Sequence, residues 1–458
     1  MAQSIDTLVI VGVTGDLSSR LLLPALGQLL TREKKRRLRL IGVGAEDWDD
    51  AKLSQILKTS FETSSAKGAA VTDLVKHATY MRADVTDLDD VQRVIDGITG
   101  TPAIYFALPP AITAACCALL EKTGLPDGTV LALEKPFGTD EKSAHALNEQ
   151  LARLVPENRI FRVDHFLGKS TVLNVLGLRF ANRVFEPLWN REHIEKIDIV
   201  FDEQLGLEGR ARYYDHAGAM VDMIQSHLLQ TLAFVTMEPP ASLDEDDLRT
   251  AKAAALRATR VFGGDPAASS RRARYTAGKI GRRSLPAYKD EDGVDPSRHT
   301  ETLAELTVEV RNWRWSGVPM TLRSGKALAD KRSEIVITFR DAPEIPTGFH
   351  GKRPANVLRL GLGPDRMDLS VNVNGPGDPL ALDPAVFTSE FGEGQLLAYG
   401  EVLSGVLDAD PLLSIRGDAA EECWRIVDSV LKAWKDDVVP LQSYPAGSKG
   451  PATWAPLG

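Results

Sequence analysis

Leu8-Val9-Ile10-Val11-Gly12-Val13-Thr14-Gly15-Asp16-Leu17 runs from an unbroken apolar tetrad into a glycine-containing turn. A short, continuous apolar run reads as a strand buried on both faces, the habit of parallel sheets covered by helices. A helical pattern follows from Leu21 to Leu30. Glycines at such a strand-to-helix turn let the backbone approach a pyrophosphate, and the helix N-terminus adds free N–H groups and the positive end of its dipole. Gly12, Thr14, Gly15, Asp16 and Leu17 are therefore candidate cofactor-binding residues. The turn lacks the full G-x-G-x-x-G spacing, so its weight comes from its surroundings.

Those surroundings repeat the pattern. Leu38 to Val43, Tyr80 to Val85, Ile104 to Leu108 and Val130 to Leu133 read as further strands with helical stretches between them. Such βαβ repetition predicts a parallel sheet with helices on both faces. After about residue 170 the texture changes. Ile197 to Phe201, Leu303 to Val310, Met320 to Arg323, Ile335 to Phe339 and Val357 to Leu362 read as strands without helices between the later ones. They predict a larger, mainly antiparallel sheet. The fold class is α/β: a Rossmann-like parallel-sheet domain over 1–170, then an α+β domain over 171–458. Leu396 to Leu407 and Ala419 to Trp434 look helical. Gly263 to Arg298 reads as an irregular excursion, and Tyr444 to Pro451 as a turn-rich surface tail.

The whole chain agrees with two soluble domains. Its 458 residues exceed one ordinary core. A net charge of -9 speaks against a nucleic-acid binder. The basic run Lys34-Lys35-Arg36-Arg37 reads as a solvated turn. Three cysteines, Cys116, Cys117 and Cys423, make neither a disulfide framework nor a metal spacing, as expected of a cytoplasmic protein. No signal peptide and no membrane-length apolar run is visible.

Chemistry concentrates in a few places. Arg162-Val163-Asp164-His165-Phe166-Leu167-Gly168-Lys169 packs an Asp, a His and a Lys into six positions. A carboxylate orients an imidazole, and an imidazole with an ammonium holds a phosphate. Lys135 ends a strand, where ligands of open α/β sheets gather. His227 lies in the apolar helical stretch Gly218 to Gln230; composition alone favours a satisfied core histidine there. Asp222 is five residues before it, about 140° away on a straight α-helix. Both then serve one site only if the helix flank lines a broad cleft. Glu203 reads as an acidic strand end. Glu46 and Asp47 close the second strand, where a carboxylate accepts from a ribose diol and repels a 2′-phosphate.

The stretches RVDHFLGK, GAMVDMIQSHLLQ and EKPFG resemble the glucose-6-phosphate dehydrogenase family. The resemblance implies oxidation of C1 of β-D-glucose 6-phosphate to the 6-phosphoglucono-lactone, the first step of the pentose phosphate pathway. It implies NADP as the cofactor by default, with NAD possible on the chemistry of Glu46. It gives His227 the role of general base and Asp164 that of its orienter. His165 and Lys169 would bind the phosphate, and Glu203, Asp222, Lys135 and Lys326 the sugar, Lys135 also reaching the cofactor. A homodimer or dimer-based tetramer paired through the large sheet is implied, as is a cis bond before Pro136. Three positions depart from the pattern. Phe166 replaces a tyrosine whose hydroxyl contacts phosphate, which predicts looser phosphate binding. Leu21 stands where a lysine is common, and Glu46 about where an arginine is common. Two other readings stay open: a degenerate binding subunit of the same fold, and a dehydrogenase for another sugar class.

Overall fold

The computed structural model describes residues 5–392 and 396–457. It divides into two compact units, one of residues 1–169, 240–253 and 394–424, the other of 170–239, 254–393 and 425–458. The sequence division near 170 does not anticipate the two later segments that return to the first unit. Packing explains the second of these returns: Tyr399, Val402, Leu403, Val406 and Leu407 join the same core as Leu8, Ile10 and Leu26.

The first unit is built on β1 (Thr7–Val11), β2 (Arg39–Gly44), β3 (Thr79–Arg82), β4 (Pro102–Phe106), β5 (Val130–Glu134) and β6 (Ile160–Val163). These are parallel and ordered β6-β5-β4-β1-β2-β3, with Ser414–Ile415 added antiparallel beyond β6. Every residue of β1 and β4 is buried, as the apolar run predicts. The strand order reverses between β1 and β4, which opens a ligand crevice at their carboxyl ends. Helices are held by side-chain caps: Asp49, Asp87 and Asp140 each accept a backbone N–H at a helix start. β3 stops at Arg82, short of the predicted Val85. The strand reading of the sequence omits β6, whose short apolar run is interrupted by Arg162; that side chain is fully buried and paired with Glu157 at 2.8 Å.

The second unit holds an 11-stranded, mainly antiparallel sheet. Its centre is β7 (Ile194–Asp202), flanked by Arg332–Phe339 antiparallel and Met320–Gly325 parallel. Two expectations are corrected here. The stretch 263–298 is irregular only in part: Ser270–Thr276 is a strand of the main sheet and Gly278–Ile280 pairs with Arg283–Leu285 as a hairpin, whereas beyond Leu285 it holds only short 3₁₀ turns. Arg271, Arg272 and Arg274 mask the strand. Arg271 is paired with Glu305 on the adjoining strand and Arg272 with the exposed Asp437, so both charges are partnered in the ordered structure. Nor is the tail wholly on the surface. Leu441–Pro445 is a strand, and Tyr444 is fully buried with its hydroxyl donating to the Lys326 carbonyl at 2.7 Å. The strand pair Arg366–Asn374 and Ala381–Glu390 is a further addition to the predicted sheet.

Among the described residues no helix is long and apolar enough to cross a membrane. Cys116, Cys117 and Cys423 are free thiols and buried. The basic run Lys34 to Arg37 joins a helix to β2, as expected, but Arg36 is paired with Glu33 and Asp408.

Candidate active site

The nucleotide turn forms where β1 meets the first helix. Gly12 has φ 88°, and a Cβ there would lie 2.5 Å from the Ala107 carbonyl oxygen at the end of β4. Only glycine fits both the dihedral and the approach. The turn therefore leaves a cradle of bare backbone at the switch point, which suits a pyrophosphate. Ser18 donates to the Gly12 carbonyl at 3.0 Å, and Ser18–Leu22 winds as a π-helix before the α-helix Leu23–Arg32. Glu46 is exposed at the end of β2 and accepts from the Thr14 hydroxyl at 2.6 Å. Asp47 pairs with Arg82 at 2.9 Å, and Asp16 with Arg20 at 3.2 Å. Arg20 and Arg82 are thus already engaged with carboxylates. Leu17 packs against the core.

β5 and β6 run parallel with Glu134 opposite Val163. The next residues, Lys135 and Asp164, therefore leave neighbouring strands at the same end of the sheet. The Lys135–Pro136 bond is cis, as the resemblance implies. Asp164 is fully buried and accepts from the Phe166 N–H at 2.9 Å, capping the short 3₁₀ turn His165–Gly168. Around that turn two basic groups sit against rings. The Lys169 ammonium lies 3.8 Å from the centre of the Phe166 ring. The His165 imidazole stacks on Tyr399 at 5.4 Å and 13°. The aromatic face of Phe166 favours the positive charge of Lys169. Phe166 thus carries Lys169 in place of offering a hydroxyl.

Other groups of this unit carry no mark in the sequence. Tyr399 also donates to Glu134 at 3.4 Å, and Tyr105 donates to the same carboxylate. Burial pushes the Glu134 carboxyl up to about 7, against the pull of those hydrogen bonds and of Lys135. Lys252 is buried, which pushes its ammonium down to about 8; the charge of Asp164 opposes the shift. No local pattern reveals these groups, because Tyr399 lies 234 positions from His165 and Lys252 sits in an ordinary helix.

The second unit gathers the remaining candidates. β7 and Met320–Gly325 are parallel with Asp202 opposite Gly325, so Glu203 and Lys326 emerge side by side. They form an ion pair at 2.5 Å. The Lys326 ammonium also faces the Tyr214 ring at 5.1 Å. Tyr213 donates to Asp222 at 3.3 Å. Tyr214 is buried, which raises its hydroxyl well above the usual tyrosine range, with the charges of Asp222, Glu301 and Glu203 adding to the effect. Glu203, Lys326 and Asp222 thus surround one tyrosine pair that no motif announces.

His227 is buried on the stretch Met220–Leu228, which is a π-helix continuing into the α-helix Leu229–Thr236. This corrects the geometry expected of a straight α-helix. A ring closed at i+5 returns position i+5 toward the face of position i. Asp222 and His227, five apart, are thereby brought toward one flank rather than about 140° apart. No broad cleft is needed to reconcile them.

A sheet of this order with its bare glycine cradle, and a second unit with a buried histidine and acid on one π-helix, define a two-domain, dinucleotide-dependent dehydrogenase. Residues 9–174 match the family model for the glucose-6-phosphate dehydrogenase NAD-binding domain, and 176–457 that for its C-terminal domain. The chain belongs to the glucose-6-phosphate dehydrogenase family. It is 36% identical over 472 aligned positions to the glucose-6-phosphate 1-dehydrogenase of Dickeya dadantii, covering 98% of this chain and 95% of that protein. It is similar to the crystal structure of the enzyme from Mycobacterium avium, with TM-score 0.86, 33% identity, and 99% and 100% of the two chains covered. A glucose-6-phosphate dehydrogenase solved with its substrate glucose 6-phosphate matches with TM-score 0.86 and 29% identity over 99% of this chain and 97% of that one.

Proposed function

We propose that this protein oxidises C1 of β-D-glucose 6-phosphate, passing hydride to a nicotinamide dinucleotide and yielding the 6-phosphoglucono-lactone. The observation that carries this reading is the match of both family domains across nearly the whole chain. The acidic and basic residues of RVDHFLGK, GAMVDMIQSHLLQ and EKPFG are all present beside it.

The roles follow the chemistry of each group. His227 takes the C1 hydroxyl proton at an imidazole nitrogen, and Asp164 orients it and steadies the charge it gains. His165 and Lys169 bind the phosphate, whose negative charge suits the Lys169 ammonium and whose oxygens accept from an imidazole N–H. Glu203, Asp222 and Lys326 accept from and donate to sugar hydroxyls; Lys135 serves sugar and cofactor together. Gly12, Thr14, Gly15, Asp16 and Leu17 hold the pyrophosphate end, where the bare backbone cradle fits the group. The dinucleotide supplies the hydride acceptor. Remote phosphate binding energy positions C1 for reaction.

NADP is the family default. A specific observation favours substantial use of NAD as well: Glu46 is held over the turn by Thr14, and Arg20 and Arg82 are paired with acids. For Arg20 or Arg82 to meet a 2′-phosphate, its present pair must open. We further propose a cytoplasmic homodimer or dimer-based tetramer, assembled through the large sheet. Exposed Val373, Leu380, Val386 and Phe387 on and beside its outer strands supply apolar surface for such an interface.

The test is a panel of glucose, glucose 6-phosphate, galactose 6-phosphate and 6-phosphogluconate with each cofactor. Reduction of cofactor by glucose 6-phosphate above the others is expected. No reduction with any sugar phosphate favours the binding-subunit reading, and preference for an unphosphorylated sugar favours another dehydrogenase class.

A further inference from the structure

The π-helix that bears Asp222 and His227 begins abruptly. The preceding helix, Ala211–Ala219, breaks at Gly218, which has φ 63° and ψ 178°. The first N–H groups of a helix have no partner within it, and Ala219, at the cap position, provides no side-chain cap. The cap comes from 81 positions away. Glu301 is buried just before the strand Leu303–Val310, and its carboxylate accepts from the Met220 N–H at 2.9 Å. Its main-chain carbonyl accepts from the Ala219 N–H at 3.3 Å.

Gly218 makes this contact sterically possible. A Cβ at that position would lie 2.3 Å from the Glu301 carboxylate oxygen and 2.6 Å from its carboxyl carbon. The glycine therefore serves both the positive φ and the entry of the acid. The neighbouring residues fix the acid in turn. Thr300 donates to the Asp215 carbonyl at 2.7 Å, and the Thr302 and Tyr444 hydroxyls are hydrogen-bonded at 2.8 Å. Burying an acid here carries a cost: its carboxyl is pushed up to about 7 by burial, with the Met220 N–H pulling the other way and Arg272 and Ala219 adding smaller pulls. A neutral residue would fill the space without that penalty.

We propose that Glu301 is a positioning residue for the reaction: by pinning the Met220 N–H it sets where the π-helix starts, and so sets the direction in which the flank bearing Asp222 and His227 faces. Asp222 is two residues from the pinned amide, and the i→i+5 winding passes the constraint to His227. A start displaced by one residue rotates both side chains together about the helix axis. The inference rests on the proposed role of His227.

The experiment compares three substitutions in the full-length protein, with kcat and KM for glucose 6-phosphate and for the cofactor, and with thermal stability. Glu301→Ala removes the acceptor. Glu301→Asp withdraws it by one methylene while keeping a buried acid. Glu301→Gln keeps an acceptor oxygen at the same reach without the charge. The Ala and Asp variants are expected to lose about tenfold in kcat, the kinetic equivalent of one lost buried hydrogen bond. Gln should restore it to within about threefold, a difference of under 1 kcal/mol. KM for the cofactor should not change. Should the alanine variant fail to fold, the aspartate–glutamine pair makes the same comparison. Equal kcat in all folded variants, with only thermal stability altered, overturns the proposal. A His227→Asn control separates the two claims: near-normal kcat there removes the base assignment, whereas a large loss there beside unchanged Glu301 variants removes only the positioning role.

Discussion

Glu301 also makes a prediction about stability and pH. Its carboxyl is held at about 7 against an ordinary value of 4.5, chiefly by burial. Below about pH 4.5 the group is protonated folded and unfolded, and its preference for the folded environment is fully present. As pH rises through 7 the folded group must ionise in its buried site, and that contribution is lost. A tenfold difference in proton affinity between folded and unfolded protein corresponds to about 1.36 kcal/mol. The rise from 4.5 to about 7 therefore sets an upper limit of about 3 kcal/mol lost between about pH 4.5 and 8. Glu301→Gln removes the titration. The difference in stability between variant and wild type should therefore move in favour of the variant as pH rises across that window. Other groups titrate there too, Glu134 among them at about 7. They cancel in the difference because both proteins contain them. Thermal or urea unfolding at a series of pH values reads it. A difference that stays constant with pH refutes the reasoning, because it means that Glu301 has the same proton affinity folded and unfolded.

The site makes further predictions. His227→Asn should cut kcat by orders of magnitude with KM for sugar phosphate little changed, whereas Lys169→Ala should chiefly raise that KM; steady-state kinetics separates the two patterns. Phe166→Tyr should lower KM for glucose 6-phosphate about fivefold, one neutral hydrogen bond being worth about 1 kcal/mol, and an unchanged KM means the hydroxyl does not reach the phosphate. Glu46→Gln with Asp47→Asn should raise the NADP-to-NAD ratio of kcat/KM. A strong NADP preference that is indifferent to this change, and disappears on Arg20→Ala, contradicts the role given to the carboxylates.

Much of this molecule is readable from its residues. β1, β2, β4 and β5 declare themselves because strands buried on both faces need unbroken apolar runs, and Gly12 because a close turn needs glycine. The large sheet is legible where apolar residues dominate, as in Leu303–Val310, and illegible where arginines crowd a strand, as Arg271, Arg272 and Arg274 do in Ser270–Thr276. The returning segments 240–253 and 394–424 carry no local sign that they pack with the first unit. Motifs mark the 3₁₀ turn His165–Gly168 and the buried histidine, but not the rings that surround them. Tyr399 against His165, and Tyr213 and Tyr214 beside Asp222 and Lys326, are long-range contacts without a spacing to read. The largest geometric error comes from assuming a straight α-helix between Asp222 and His227. The π winding is a backbone choice that no side-chain period announces, and the contact at its start comes from Glu301 far along the chain.

The most direct test of the proposed reaction uses glucose 6-phosphate deuterated at C1. Mass spectrometry of the reduced cofactor should show the deuterium transferred to the nicotinamide ring, with none left at C1 of the lactone. Deuterium retained at C1, or no reduced cofactor at all, contradicts the account.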